Sequence, residues 1–548
     1  MKLFNRKQPK SKKATAAPIA EQTLVSTEAV PPSADIGYQR LEQRRVLSAS
    51  FGIGAGGALI LDSFDPGQDL TVAQTDSFIN GFIQDSFTFE VDSGSFTGSV
   101  TNPLFELESV NGGTDNLLQV ATSFFNGPAN AQIMLNGATS TGGQVEFDQV
   151  GSAITVESLD ISNFTNVDQA LSITAVGDIT ASNISVVDSN PLDTINPAAR
   201  LTIETQGSIT TAGSIENLID NSLAGIELVA SGANNDLSLA GTIETQAGGI
   251  ELSAGDSVQL SSTGQIVSGN LGDTAITSGT SGTPGDSDDQ ILLADGSRID
   301  VGSGEVNLIA EGDALISQIT SLNTGDAVSI STGGQIVDNT VAESDNIITS
   351  NGRSRLLATG NIGVAGAGNI NIQADSLEFD TDGSATISDS DFGITIDRAS
   401  RADDGIQLDT NGQLTISQDI NVGASSSFIT NNSTSVDDDL TIANDAIVSL
   451  NSAVGAQLEF IAADDIVFDT GIITTSPDNH SVSLIADNEG AIDGDRGAIV
   501  SSSNITNVST NELQATAFAG IGDLNNPFRT DVDRLVASNS GTGNIAIA

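Results

Sequence analysis

From about residue 166 to the end of the chain, three to five residues alternate between apolar and polar, then break at Gly, Asn, Asp or Ser. Leu171-Ser172-Ile173-Thr174, Leu201-Thr202-Ile203-Glu204, Leu237-Ser238-Leu239, Leu414-Thr415-Ile416 and Leu440-Thr441-Ile442 are examples. Period two means short strands with one face in and one face out. No segment has helical spacing.

The alternation also repeats at longer range. Gly225-Ile226-Glu227-Leu228 returns as Gly249-Ile250-Glu251-Leu252, and Ala230 returns as Ala254. Val258–Val267 matches Val328–Val337, Leu292-Leu293-Ala294 matches Leu356-Leu357-Ala358, and Val306-Asn307-Leu308 matches Ile370-Asn371-Ile372. Ile299 and Val301 likewise match Ile362 and Val364. The intervals drift while the strands keep their texture. A stack of rungs tolerates this, because neighbours hold each rung and its turns face solvent. The expected fold is all-β, a right-handed parallel β-helix (β-solenoid) with a disordered basic N-terminal tail. Three short strands per rung give roughly twenty rungs and a rod on the order of 100 Å long at about 4.8 Å per rung.

Charge divides the chain. All five lysines lie within residues 1–13, and Arg40, Arg44 and Arg45 follow. Residues 46–548 hold nine arginines, no lysine and 67 acids. So acidic a body repels phosphate backbones, which argues against nucleic-acid binding. The absence of Cys removes disulfides, thiolate zinc sites and Cys nucleophiles. A single His excludes multi-histidine metal sites and leaves any Ser-His-Asp triad dependent on His480.

Four regions follow. Residues 1–40 read as a disordered basic tail with no apolar stretch of the secretory kind after its lysines. Residues 41–61 hold a short motif and the uncharged run Val46–Leu61, which reads either as a displaced export signal or as a Gly-rich first strand or cap. No stretch is long and apolar enough to read as a transmembrane anchor. Residues 62–165 read as a Phe-rich β cap or first coils, with alternation at Phe87-Thr88-Phe89-Glu90-Val91-Asp92. Twelve of the 20 Phe fall within 51–165. Residues 166–548 are the β-helix repeats, and the Asn544–Ala548 ending suggests a chain truncated in mid-rung, open to end-to-end assembly with further solenoid chains.

Leu41–Ala49 reads LEQRRVLSA. This resembles the LEPR-XLL domain found near the N-terminus of very large bacterial surface proteins. Leu41, Glu42, Arg44, Leu47, Ser48 and Ala49 fit the pattern, while Gln43 replaces Pro and Val46 replaces Leu. The resemblance implies a sorting motif ahead of long extracellular repeats. Leu201–Gly213, Ile250–Ile266 and Ala515–Ala548 resemble the shaft of filamentous-haemagglutinin-like adhesins. Together these imply a secreted or cell-surface protein, extracellular in location, acting in adhesion or cell–cell attachment. Its implied partners are other cell-surface proteins or polysaccharides.

On sequence alone the protein is expected to be non-catalytic. The alternatives are a polysaccharide-active β-helix lyase or hydrolase, or a passive spacer in a larger surface protein. Acid pairs such as Asp397 with Asp403-Asp404, or Asp464-Asp465, read as a solvated acidic face, and His480 as a surface turn residue. No cofactor is expected. Calcium is the one metal considered, since hard oxygen ligands suit it, on Asp286, Asp288 and Asp289 or on Asp487, Glu489, Asp493 and Asp495. Asp380/Asp382 and Asp437/Asp438/Asp439 are further clusters. None has the EF-hand or nonapeptide spacing.

Overall fold

The computed structural model describes strands and adjoining residues between 48 and 187, and residues 200–548 apart from 270, 281–288, 342–344, 350, 366–367, 391–392, 432–437, 454, 477–478 and 488–496. Before residue 200 the described residues are 48–53, 59–62, 70–91, 95–98, 104–108, 115–121, 132–136, 145–149, 158–162, 167–168, 171–175 and 178–187. The proposed tail and most of the sorting motif (Leu41, Glu42, Arg44 and Leu47) lie outside them. Ser48 and Ala49 open the strand Ser48–Ile53, beside Ser95 and Phe96.

Among the described residues the chain is all β, without helix, and its parallel strands form a β-solenoid of about 13 turns. That corrects the expected twenty. Rungs range from 20 residues (Ile299 to Ile319) to 35 (Ile473 to Val508), and a separate five-stranded sheet takes strands between residues 70 and 149. The stack is about 60 Å tall at about 4.8 Å per turn.

Three faces make a rung. Face A runs through Leu171–Ala175, Leu201–Thr205, Ile226–Ala230, Ile250–Ala254 and onward. Face B runs through Asp178–Ser182, Ile209–Thr211, Leu237–Leu239 and Val258–Leu260. Face C runs through Ile184–Val187, Ile215–Asn217, Thr242–Thr245 and Gln265–Ser268. The 24-residue repeat is one rung: Ile226, Glu227, Leu228 and Ala230 pair with Ile250, Glu251, Leu252 and Ala254. Inward residues stack into aliphatic columns. One runs Ile173, Ile203, Leu228, Leu252, Ile276, Leu308, Ile330 and Leu356, all fully buried. Each such side chain contributes about 1.5–3 kcal/mol by leaving water.

The longer repeat is different. Val258–Leu260 lies on face B, but its match Val328–Ile330 lies on face A. Ile299 on face C matches Ile362, which stacks on Ile336 of face B. Every matched segment is therefore rotated by one face. The repeat spans eight strands, not the nine that would complete whole turns. All three faces share one inward apolar grammar, so sequence likeness carries no face identity.

Corners are polar and tight. Thr205, Thr332 and Thr381 close face A strands, and each hydroxyl accepts the N–H of a glycine two residues on, Gly207, Gly334 or Gly383, at 3.0 Å. Buried Asn217, Thr245 and Ser268 stack at the end of face C and donate to the carbonyls of Gly225, Gly248 and Gly272. Glycine is required there. A Cβ on Gly272 would lie 2.0 Å from the Gly248 oxygen, and one on Gly304 would lie 2.1 Å from the Gly272 oxygen.

Between residues 362 and 402 the cross-section is rebuilt. Faces B and C fuse, because Ala385–Asp389 pairs with Ile362 through Ala385 and with Ile370–Gln373 through Ile387. Face A splits, because Ser376–Thr381 pairs with Gly393–Ile396 at one end and with Ser400–Ala402 at the other. Residues 165–378 contain no Phe. From the junction onward Phe379, Phe428, Phe460, Phe468 and Phe528 are buried, and Phe428 stacks on Phe460 with ring centroids 5.0 Å apart.

The N-terminal region joins the same architecture. Ser48–Ile53 and Leu59–Asp62 pair antiparallel and bury Phe51, Leu59 and Leu61, so these parts of the apolar run are strands of the fold. Leu59–Asp62 then continues face B through Gln132–Asn136 and Ser158–Ser162. A five-stranded sheet includes the hairpin Leu70–Ile79/Phe82–Val91, where the expected alternation buries Phe89 and Val91.

Gly272→Ala is expected to cost roughly 1–3 kcal/mol in urea unfolding, because the new methyl meets backbone. Gly325→Ala, whose Cβ meets only the Asn323 side chain at 3.6 Å, is expected to stay within about 0.5 kcal/mol.

Candidate functional site

The polar residues fall into three arrangements: bonds between rungs, arginine clamps at the junction, and an open groove on the fused face.

The rung bonds use an Asp or Asn placed just before the first inward residue of a strand. Its side-chain oxygen accepts the N–H of the residue directly above it. Asp178, Asp236, Asp273, Asp313, Asn346, Asn361, Asp419, Asp439, Asp465 and Asn507 take the N–H groups of Ser208, Ser257, Glu305, Gln335, Asn371, Ser384, Ile447, Asp465, Ala498 and Arg529 at 2.6–3.2 Å. At a corner the backbone ladder is interrupted, and a side chain supplies the missing acceptor. Asp464-Asp465 is thus no solvated pair. Asp464 Oδ2 accepts the N–H of fully buried Asp438 at 3.3 Å, and Asp465 bonds to both neighbouring rungs. The signal was in the sequence, as Asp or Asn directly before an apolar residue, but the abundance of acids hid it.

Two arginines clamp the junction. Arg353 grips Asp397 with two bonds, Nε–Oδ1 at 2.9 Å and Nη2–Oδ2 at 2.6 Å, and also pairs with Asp326. Its side chain is only 17% exposed. Arg401 binds Asp380, Asp382 and Asp403 at 2.7, 2.6 and 2.9 Å. Both guanidinium pKa values rise, for Arg353 chiefly through the Asp397 bond and for Arg401 through the bonds to Asp380 and Asp382. Asp397 and Asp403 serve different arginines, so they do not act as a carboxylate pair. Asp380 and Asp382, considered for calcium, already have a cation.

His480 is not a surface residue; it is 1% exposed. Its Nδ1 accepts the Ala456 N–H at 3.0 Å, which places the ring proton on Nε2, within 3.2 Å of the Ser452 carbonyl and 3.0 Å of Ser476 Oγ. Its backbone oxygen accepts from Glu512 N and Thr510 Oγ1. The imidazole ties loops of successive rungs. Pro477 and Asp478, beside it, lie outside the described residues.

Of the calcium candidates, Asp286, Asp288, Glu489, Asp493, Asp495 and Asp437 lie outside the described residues. Asp289 is buried, and its carbonyl takes the Gly312 N–H and the Ser278 hydroxyl. The Asp487 N–H donates to the Asp464 carbonyl. Among the described residues no three His, Cys, Asp or Glu side chains converge to hold a metal ion, and no helix is long and apolar enough to cross a membrane.

The groove lies just above the junction and encloses about 510 Å³. One wall is the loop around Val364, closed by the 2.8 Å bond from Val364 N to Gly368 O. Its floor includes Thr386, Gln407, Ser427 and Glu459, which stack in register on four successive rungs. No sequence signal marks it, since residues from 361 to 459 contribute.

No protein-family model, curated protein or solved structure matches the chain.

Two outcomes test the polar framework. Asp313→Ala removes the acceptor for Gln335 N–H and is expected to cost roughly 1–2 kcal/mol in urea unfolding, with Asp313→Asn recovering most of it. Glu305 is pushed above the ordinary carboxylate pKa by burial, then by Asp326 and Asp273. An acid whose folded pKa is raised is destabilising once ionised, so the penalty develops as pH rises through and above the ordinary carboxylate value. Glu305→Gln is therefore expected to be more stable than the parent at pH 7, with the difference vanishing in acid, as read from melting temperature against pH.

Proposed function

We propose that the protein is an extracellular or cell-surface, non-catalytic structural rod that acts in adhesion or cell–cell attachment, with other surface proteins or polysaccharides as partners. The observation that carries this reading is the continuous parallel stack itself. One aliphatic interior runs through about 13 turns, so the chain's product is a tall, repetitive outer surface. A surface of that kind presents many equivalent positions to a second surface.

The buried polar groups support the reading. The lone His, the corner Asp and Asn residues and the junction arginines are engaged in holding rungs together. The acidic exterior keeps neighbouring rods apart, with repulsion screened beyond about 8–10 Å at physiological salt. The LEPR-XLL-like segment LEQRRVLSA adds the expectation of sorting to the surface.

Protease shaving of intact cells that express the full chain tests the location. Release of fragments from residues 200–548 into the medium is expected. Full protection on intact cells, with digestion only after lysis, overturns the surface assignment.

A further inference from the structure

We infer that the groove above the junction is a binding site for a neutral, hydroxyl-rich polysaccharide lying along the stack axis. The inference rests on the non-catalytic adhesive reading and names the ligand class and the place.

The lining is the first argument. Eight uncharged hydrogen-bonding side chains line the groove, among them Asn361, Thr386, Gln407, Ser427 and Gln457, together with the carboxylates of Asp404 and Glu459. No cation is present in that lining. In a body with 67 acids and nine arginines, such a site rejects anionic ligands. A volume of about 510 Å³ is ample for a short run of sugar residues.

The second argument is register. Thr386 lies under Gln407, Gln407 under Ser427, and Ser427 under Glu459. Polar groups therefore recur about every 4.8 Å along a straight column. A linear chain of rings laid up that column meets a fresh donor or acceptor at each rung. The Ser427 hydroxyl and the Glu459 carboxylate have no hydrogen-bond partner among the described residues. Gln407 is oriented: its Nε2 donates to Asp409 Oδ2 at 3.0 Å, so its amide oxygen is left to accept. Val364, 52% exposed at the wall, offers an apolar edge to a ring face.

The third argument separates a glycan from a peptide. An extended peptide is usually held through its backbone, by adding a strand to a free sheet edge. Here the floor strands already spend their N–H and C=O groups on the rungs above and below. Only side chains remain to recognise a ligand, and they match hydroxyls.

The test is affinity electrophoresis of the full chain in gels containing xylan, mannan or hydroxyethylcellulose, with polygalacturonate as the anionic probe. At least one neutral polymer is expected to retard migration, and polygalacturonate is expected to have no effect. Ser427→Trp, which fills the groove from an outward position, and Gln407→Ala are expected to weaken retardation at least about tenfold with an unchanged far-ultraviolet spectrum. No retardation by any neutral polymer overturns the proposal, and so does retardation that survives Ser427→Trp. Binding of a lysine-rich peptide that is lost in Glu459→Gln, without polysaccharide binding, reassigns the groove to cationic peptides. Reducing ends released in the same gels would end the non-catalytic reading while leaving the binding site in place.

Discussion

Parallel pairing of each rung with the next is the constraint on which everything else depends. It forces residues at equivalent positions on successive rungs to lie about 4.8 Å apart, whatever the number of residues between them. Inside, this turns alternation into columns of Leu, Ile and Val that exclude water. Outside, it places like side chains over like. Glu227 lies under Glu251, and Glu216 under Glu244. The same rule that makes the core makes an electrostatic problem on the surface.

The corners show how the backbone copes with that rule. A strand ladder satisfies its own N–H and C=O groups, but a corner turns them out of line. This chain answers with short side chains bearing oxygen. Thr closes the end of face A, Asn, Thr and Ser close face C, and Asp or Asn opens the following strand. Many of the acids that give the body its charge are therefore acceptors built into the stack. Glycine at the face C corner follows from the same crowding, since the carbonyl of the rung below occupies the place of a Cβ.

The fold was legible in the sequence wherever a pattern was local. Period-two alternation and the 24-residue return of Gly-Ile-Glu-Leu reported strands and one rung directly. The longer matches reported eight strands and looked like whole turns, because an inward Ile on one face is indistinguishable from an inward Ile on another. His480 looked like a turn residue because Pro477, Asp478 and Asn479 precede it, yet its burial comes from Ser452, Ala456 and Asn511, which only stacking brings close. The groove was illegible for the same reason. Its floor is assembled from positions about 20 or 30 residues apart, with no motif joining them.

The contrast between a lysine-bearing N-terminus and a lysine-free body has a structural counterpart in the choice of cation. Carboxylates on successive rungs form a comb, and a cation that serves it must reach several teeth at once. The planar guanidinium carries five donors in a fixed fork, whereas an ammonium is a compact point charge. Arg200 bridges Glu227 and Glu251 at 3.3 Å each, Arg353 joins Asp326 to Asp397, and Arg401 gathers Asp380, Asp382 and Asp403. Each holds acids from different rungs. The two most heavily bonded arginines sit where face A divides, the place where stacking alone specifies least which strand lies above which. Charge pairing there supplies the register that the aliphatic columns, alike on every face, do not.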